Sequence, residues 1–411
     1  MTVSEEEKRM LRDLARRAAE IAALPVQAER VRLWKEFNTL RPHRPMVLAF
    51  PEGGWRDLVD EDACRCRHPL LRRWELQLRR RIWHAEHIRD DHPFTDFFNV
   101  GWVLRIGDYG LSEQYTRSEP LGSYVWDAPV KAASDLKKLH PRCIEVDRDA
   151  TARNLDVAND LFGGILRVRA YHHIGWPAML SWTLVKLRGL SQVMLDVYDN
   201  PRLLHDLMAF LRDDKLRELE LLQREGVLSL NNGPDDYVGS GGIGCTDELP
   251  AADFAGRVRL KDLWGFGESQ EFVHVGPEHW HQFVLAYQLP ILERFALNHY
   301  GCCEPLHAKF DLLVRHVPRL RRVSVSPWWD VADAAARLQD KYIFSWKPNP
   351  AMICAPAVNW DAVEKSTRQT IQVAQACPLE IVMKDTHTFQ GDPTRIQRWS
   401  EIVSRLAAQA A

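Results

Sequence analysis

The chain has 411 residues, with 54 Lys and Arg against 56 Asp and Glu, a formal charge of −2; a partner chosen by bulk charge, such as a nucleic-acid backbone, is excluded. At 45% hydrophobic and 27% charged residues the composition is globular, which fits neither a disordered chain nor a coiled-coil rod. No run approaches the ~18 to 20 uninterrupted apolar residues of a membrane span, and Met1 to Glu7 is polar and acidic, so a soluble cytoplasmic protein is expected.

The first element expected is an amphipathic helix. Ser4 and Glu7 form a capping box, and Leu11, Leu14, Ala18, Ile21 and Leu24 follow on one face. Met46 to Phe50 is a short apolar run ended by Pro51-Glu52-Gly53-Gly54, a strand followed by a glycine turn. Residues 70 to 89 predict a long basic helix whose Arg72, Arg73, Arg79, Arg80, Arg81 and Arg89 read first as a solvated face. Strands are expected at Phe97 to Ile106 and Leu166 to Tyr171, with no clear period from 108 to 150. Asn200-Pro201 opens a helix that runs to Gly226. Residues 231 to 244 are loop by composition, and without GxxxxGK[ST] or GxGxxG they do not read as a nucleotide site.

In the last third, Phe295 to Tyr300, Arg322 to Ser326, Tyr342 to Trp346 and Leu379 to Lys384 read as short buried strands. Helices are expected at 306–317, 331–338 and 359–377, and again after Asp392-Pro393. Strand alternating with helix predicts parallel strands joined by crossovers. At this length the economical closure is an α/β fold of the (β/α)8 TIM-barrel type, one domain over 1–411 with 1–42 as an N-terminal helical extension.

Each of these strands ends in polar or reactive groups: Cys302-Cys303-Glu304, Ser326-Trp328-Asp330, Lys347-Asn349 and Lys384-Asp385-His387. In a parallel barrel such ends converge on one face, where active sites are built. Taken singly, Asp330 also reads as a helix cap and Asn349-Pro350 as a turn. The eight cysteines, scattered and without a CxxC pair, read as reduced thiols rather than disulfides or a structural zinc module.

At NHYGCCEPL (298–306), RRVSVSPWWD (321–330), SWKPNP (345–350) and KDTHT (384–388) the chain resembles the uroporphyrinogen decarboxylase superfamily. It is most similar to the branch related to zinc- and corrinoid-dependent methyltransferases. The likeness extends through RPMVLAFPEGG (44–54), EPLGSYVWDAP (119–129), VYDNPRLLHDLMAFLRD (197–213) and GESQEFVHVGPEHW (267–280). It implies a (β/α)8 barrel with its pocket at the C-terminal face. The arginine motif that grips porphyrinogen carboxylates in true decarboxylases has no counterpart after the first strand, where Glu52 stands instead. Where those methyltransferases hold zinc through His-x-Cys and a cysteine on the last strand, this chain has Tyr300-Gly301-Cys302, then Asp385 and His387.

The resemblance therefore implies a harder, mixed site for zinc or another divalent metal, with Cys302 and His387 as ligands joined by Glu304 or Asp385. Glu52, Glu268, Glu271, Lys347, Lys384 and Asp385 are the candidate catalytic groups. Trp176, Tyr300, Trp328 and Asn349 are candidates for binding a small-molecule substrate, and His172 and His173 for lining the pocket. The implied activity is methyl transfer from a small methylated substrate to a thiol or to a separate corrinoid protein, the corrinoid being supplied in trans. The alternative is metal-assisted lyase, decarboxylase or hydrolase chemistry on a small polar or carboxylated substrate other than uroporphyrinogen. A homodimer is the expected assembly, as among relatives.

Overall fold

The computed structural model describes residues 3–117 and 124–410. In chain order its strands are β1 (Met46–Ala49), β2 (Phe97–Gly101), β3 (Leu104–Ile106), β4 (Gln114–Arg117), β5 (Tyr124–Asp127), β6 (Ile144–Val146), β7 (Arg167–Tyr171), β8 (Trp264–Gly267), β9 (Leu297–Tyr300), β10 (Leu320–Val325), β11 (Ile343–Trp346) and β12 (Leu379–Met383). Six of them form one sheet in the order β1-β12-β11-β10-β9-β8, with every neighbour parallel. Helices Phe310–His316, Val331–Leu338 and Trp360–Val373 join its successive strands, and Thr394–Ala408 follows β12. The chain is thus an α/β protein built on a six-stranded parallel sheet flanked by helices.

Chain continues beyond both sheet edges. At the β8 edge, Ala178 bridges Gly267 in parallel, and the Asn231 carboxamide bonds the backbone N–H and C=O of Trp264. At the β1 edge, Asp91 N–H donates to the Val47 carbonyl and its carboxylate accepts from Val47 N–H, both at 2.8 Å. β2 pairs with β7 in parallel, while β3–β6 and β4–β5 are antiparallel ribbons.

Strand alternation sorts the sheet into two faces. Val47, Tyr300, Val323, Val325, Phe344, Trp346, Ile381 and Met383 join one apolar core with Ile396, Trp399 and Val403 of the last helix. On the other face His299, Arg322, Ser324, Ser345, Lys347, Glu380 and Lys384 are all buried. Arg322 and Glu380 pair at 3.2 Å with neither side chain exposed, and Arg322 also donates to Asn38 Oδ1 at 2.7 Å. The Ser345 hydroxyl donates to Glu380, and Lys347 donates to Ser345 Oγ. Helix Pro25–Asn38 closes this side through Leu33, Trp34 and Phe37, packed with Met46, Leu48, Ile243 and Val382.

Helix Glu5–Ala22 starts at the Ser4–Glu7 capping box and buries Leu11, Ala15, Ala18 and Ile21; Leu24 is exposed and precedes the next helix instead. The helix expected from 306 begins only at Phe310; Lys309 before it is turned inward and donates to the Phe272 carbonyl at 2.7 Å. β8 was not legible as a strand, since two of its four residues are glycine. They are required there: a Cβ on Gly265 would come within 2.6 Å of the Phe295 ring, and one on Gly267 within 2.8 Å of the Tyr300 ring. No helix among the described residues is long and apolar enough to cross a membrane. The EPLGS part of the resemblance, 119–123, lies outside the described residues.

Removing one member of a buried ion pair leaves the other charge uncompensated, which costs about 3–5 kcal/mol. Arg322→Met is therefore expected to lower unfolding free energy by about that amount in urea titrations, and an unchanged midpoint would show that the Arg322–Glu380 pair is not what holds this face.

Candidate active site

The C-terminal ends of β9 and β12 bring a thiol and an ammonium together. Gly301 follows β9 with φ of 99°, a left-handed conformation that glycine adopts without penalty, and the turn delivers Cys302, which is 3% exposed. Its Sγ lies 3.5 Å from Lys384 Nζ and 3.4 Å from Cys303 Sγ. Lys384 reaches Ser240 Oγ and Asp385 Oδ1, each at 3.1 Å, and the Cys303 thiol donates to Asp385 Oδ2 at 3.1 Å. The Cys303 contact and the Lys384 charge outweigh burial and lower the Cys302 pKa to about 7. Cys303 moves up, through its contact with Cys302 and its own burial. Burial disfavours the Lys384 charge, but Cys302 and Asp385 overcome it and its pKa rises. The pair is a thiolate–ammonium pair near neutral pH.

Lys347, at the end of β11, is 3% exposed. Burial, reinforced by Lys384 and Arg322 and opposed by Glu380, lowers its pKa to about 7.

Acidic groups stand at the end of β8. Glu268 is fully buried; one oxygen accepts from Gln270 N–H at 3.0 Å and the other is buried with no partner. Burial first, then the charges of Glu271 and Glu304, raise its pKa well above the usual carboxylate value. Glu304 is as deeply buried, but its oxygens accept from the backbone N–H groups of Ser269 and Cys302, each at 2.9 Å. It ties the end of β8 to that of β9 and so positions Cys302. Glu271 is half-buried and accepts from the Ser181 hydroxyl at 2.7 Å.

Glu52 follows β1 with φ of 47°. Although its side chain opens to solvent at the rim, its Oε2 accepts from Asp385 N–H at 2.8 Å. Desolvation raises its pKa against the opposing charge of Lys384. Tyr237 packs edge-on against Phe50 at 5.0 Å and faces His173 at 6.2 Å. Burial raises its hydroxyl pKa, opposed by Lys384; it therefore borders the same group of side chains. His172 is half-buried and His173 exposed, and desolvation lowers both pKa values.

Other expected residues stand elsewhere. Tyr300 points into the helix-side core, where its hydroxyl donates to Gln288 at 2.6 Å; the residue on the polar face is His299, bonded to Ser324 Oγ at 2.9 Å. Asn349 Oδ1 accepts from Ala351 N–H at 2.9 Å and caps a short turn, and Trp328 is 68% exposed. Trp176 packs edge-on against Phe266 at 4.8 Å, beside the β8 edge.

The side chains as arranged do not fit the implied zinc set. His387 is exposed, beside Gly53, with its carbonyl accepting from Arg56. Both Glu304 oxygens are taken by backbone N–H groups, and Cys302 is turned to Cys303 and Lys384. Among the described residues no three His, Cys, Asp or Glu side chains gather as metal ligands would.

Sequence reasoning missed Ser240, Tyr237, His299 and the Arg322–Glu380–Ser345 row. For the row a signal existed: Arg322, Ser324 and Ser326, then Ser345 and Lys347, are polar at period two inside apolar runs, and Glu380 and Lys384 fall on one face four residues apart. Compared with known protein-family models and with curated proteins, the chain matches none.

Because Cys302 titrates at about 7, alkylation of its peptide by iodoacetamide is expected to accelerate through pH 7 rather than near the usual ~8.5. Lys384→Met should shift that profile upward by about one unit, slowing the reaction about tenfold at pH 7. Peptide-resolved mass spectrometry reads both, and an unshifted profile would remove Lys384 as the cause.

Proposed function

We propose that the protein is a (β/α)8-barrel enzyme of the uroporphyrinogen decarboxylase-like kind that carries out lyase-type acid–base chemistry on a small carboxylated substrate. Barrel closure is supported by the chain at both sheet edges, Ala178 on β8 and Asp91 on β1, and by the parallel pair β2–β7. The observation that carries the chemistry is the 3.5 Å Cys302–Lys384 contact, with Glu268 near it, whose pKa burial raises. Environments that push two groups toward opposite protonation states assign one as base and the other as acid.

In this reading Lys384 holds the substrate carboxylate and stabilises negative charge as it develops, with the Lys347 amine as a further hydrogen-bond donor. The Cys302 thiolate takes a proton from carbon, the C–H electron pair becomes the new π bond, and the bond to the leaving oxygen breaks. Glu268 protonates that oxygen, which leaves as water, and the proton taken up by Cys302 returns through solvent to Glu268, restoring both groups. Glu304 touches no reacting atom and acts by fixing the Cys302 backbone.

A second reading, methyl transfer to a thiol or to a corrinoid protein in trans, is favoured by Cys302, a nucleophilic thiolate where the resembled methyltransferases place a metal-binding cysteine. There Sγ forms a bond to the methyl carbon as the bond from methyl to its donor breaks, the electron pair leaving with the donor.

A panel of small hydroxy acids followed by NMR tests the first reading. A substrate is expected to be consumed by the wild type, with Glu268→Gln lowering kcat by about 10²–10⁴-fold and Cys302→Ser by a similar factor. Full turnover in either variant would refute these roles. A methyl group found on the Cys302 peptide after incubation with a methylated donor would decide for the second reading.

A further inference from the structure

Helix Pro69–His87 carries Arg80 and Arg81 to a cavity of about 170 Å³ that Trp55, His92, Phe94 and Asp235 also line. Arg81 Nη1 donates to the Phe97 carbonyl at 3.1 Å, but its Nε and Nη2 are buried with no hydrogen-bond partner. These two nitrogens form one edge of the planar guanidinium, a two-pronged donor that matches the two oxygens of a carboxylate. The protein uses this edge elsewhere in that way. Arg188 holds Asp196 through Nε at 2.6 Å and Nη2 at 3.1 Å, and Arg167 holds Asp96 through the same two atoms. At Arg81 no protein carboxylate among the described residues takes that edge.

The rest of the cavity agrees. Arg80 Nε and His92 Nδ1 are also buried without partners. Desolvation, then the nearby His84, hold His92 neutral, its pKa pushed down to about 3, so the imidazole carries a single N–H and no charge. Trp55 and Phe94 supply apolar walls over which Arg80 and Arg81 stack, at 5.6 and 6.0 Å from the ring centroids. Asp235 also stands on the wall, accepting from the Thr95 hydroxyl at 2.6 Å; its charge disfavours a multiply charged anion and selects a singly charged one.

We propose that this cavity binds a small monocarboxylate, its two oxygens taken by Nε and Nη2 of Arg81 and its carbon skeleton lying against Trp55 and Phe94. The assignment is independent of the chemistry given to Cys302, and its test reads binding alone.

Acetate and inorganic phosphate are titrated separately into the full-length protein at fixed ionic strength, with binding followed by NMR of the labelled anion. Saturable one-to-one acetate binding is expected, tighter than phosphate and weakened at least about tenfold in Arg81→Lys, which keeps the charge but loses the fork. Asp235→Asn leaves the fork in place and removes the like charge, so it should tighten acetate several-fold; this variant carries the test should Arg81→Lys fail to fold. No saturable acetate binding, wild-type affinity in Arg81→Lys, tighter binding of phosphate, or unchanged or weaker affinity in Asp235→Asn would each overturn the proposal.

Discussion

The arrangement depends on a row of charges that the parallel sheet holds out of water. Strand alternation that buries Val323, Phe344 and Ile381 on the helix side necessarily aims Arg322, Ser345 and Glu380 at the opposite one. There they meet each other rather than solvent. A charge in such a place must be paired or must change its protonation state, and both outcomes occur. Arg322 and Glu380 pair, Lys347 drifts toward the neutral amine, and Lys384 keeps its charge because Cys302 supplies the compensating one. The lowered Cys302 pKa thus draws on the buried lysine as well as on the Cys303 contact.

The buried acids show how hydrogen bonding divides groups that burial treats alike. Glu268 and Glu304 stand at the ends of neighbouring strands and are almost wholly inaccessible. Glu304 receives two backbone N–H donors, which oppose the rise that burial gives its pKa, and the side chain works as a clamp. Glu268 receives one and leaves an oxygen bare. Its negative charge, already disfavoured by Glu271 and Glu304, has little to stabilise it, and its pKa rises well above the usual carboxylate value. The difference lies in which backbone amides the two turns present, and nothing in the residue types announces it.

That marks the limit of what was legible in the chain. Hydrophobic runs found β9 to β12 and the helices between them, because buried strands and amphipathic helices are written in local periodicity. Their polar C-terminal ends pointed to Cys302, Lys347 and Lys384, which the fold does gather. Tyr300 illustrates the failure: aligning a motif by its position put it at the pocket, while the pleat turns it into the helix-side core and gives the polar face to its neighbour His299. Asn349 and Trp328 failed for another reason. Their residue types suit a pocket, but Asn349 is spent on a turn, and Trp328 stands in solvent. Arg81 inverts the same lesson, since a basic helix reads as solvated until the fold shows one guanidinium edge turned inward.

The glycine-rich segment 238–244 is where long-range packing most overrides composition. Its glycines suggest a flexible loop or a phosphate cradle, yet Gly239, Gly241 and Gly242 all have positive φ and lie against the polar face of the sheet. A Cβ at Gly239 would sit 2.2 Å from the Phe266 ring, one at Gly241 2.7 Å from Val382, and one at Gly242 2.7 Å from the Arg322 guanidinium. Here glycine gives closeness of approach rather than mobility: the backbone fills space that no side chain could share. Ser240, wedged between them, is consequently held where Lys384 can reach its hydroxyl, and Tyr237 is held beside Phe50. A segment with no regular structure of its own thereby completes the surroundings of Cys302, because its missing side chains let it pack as tightly as a strand.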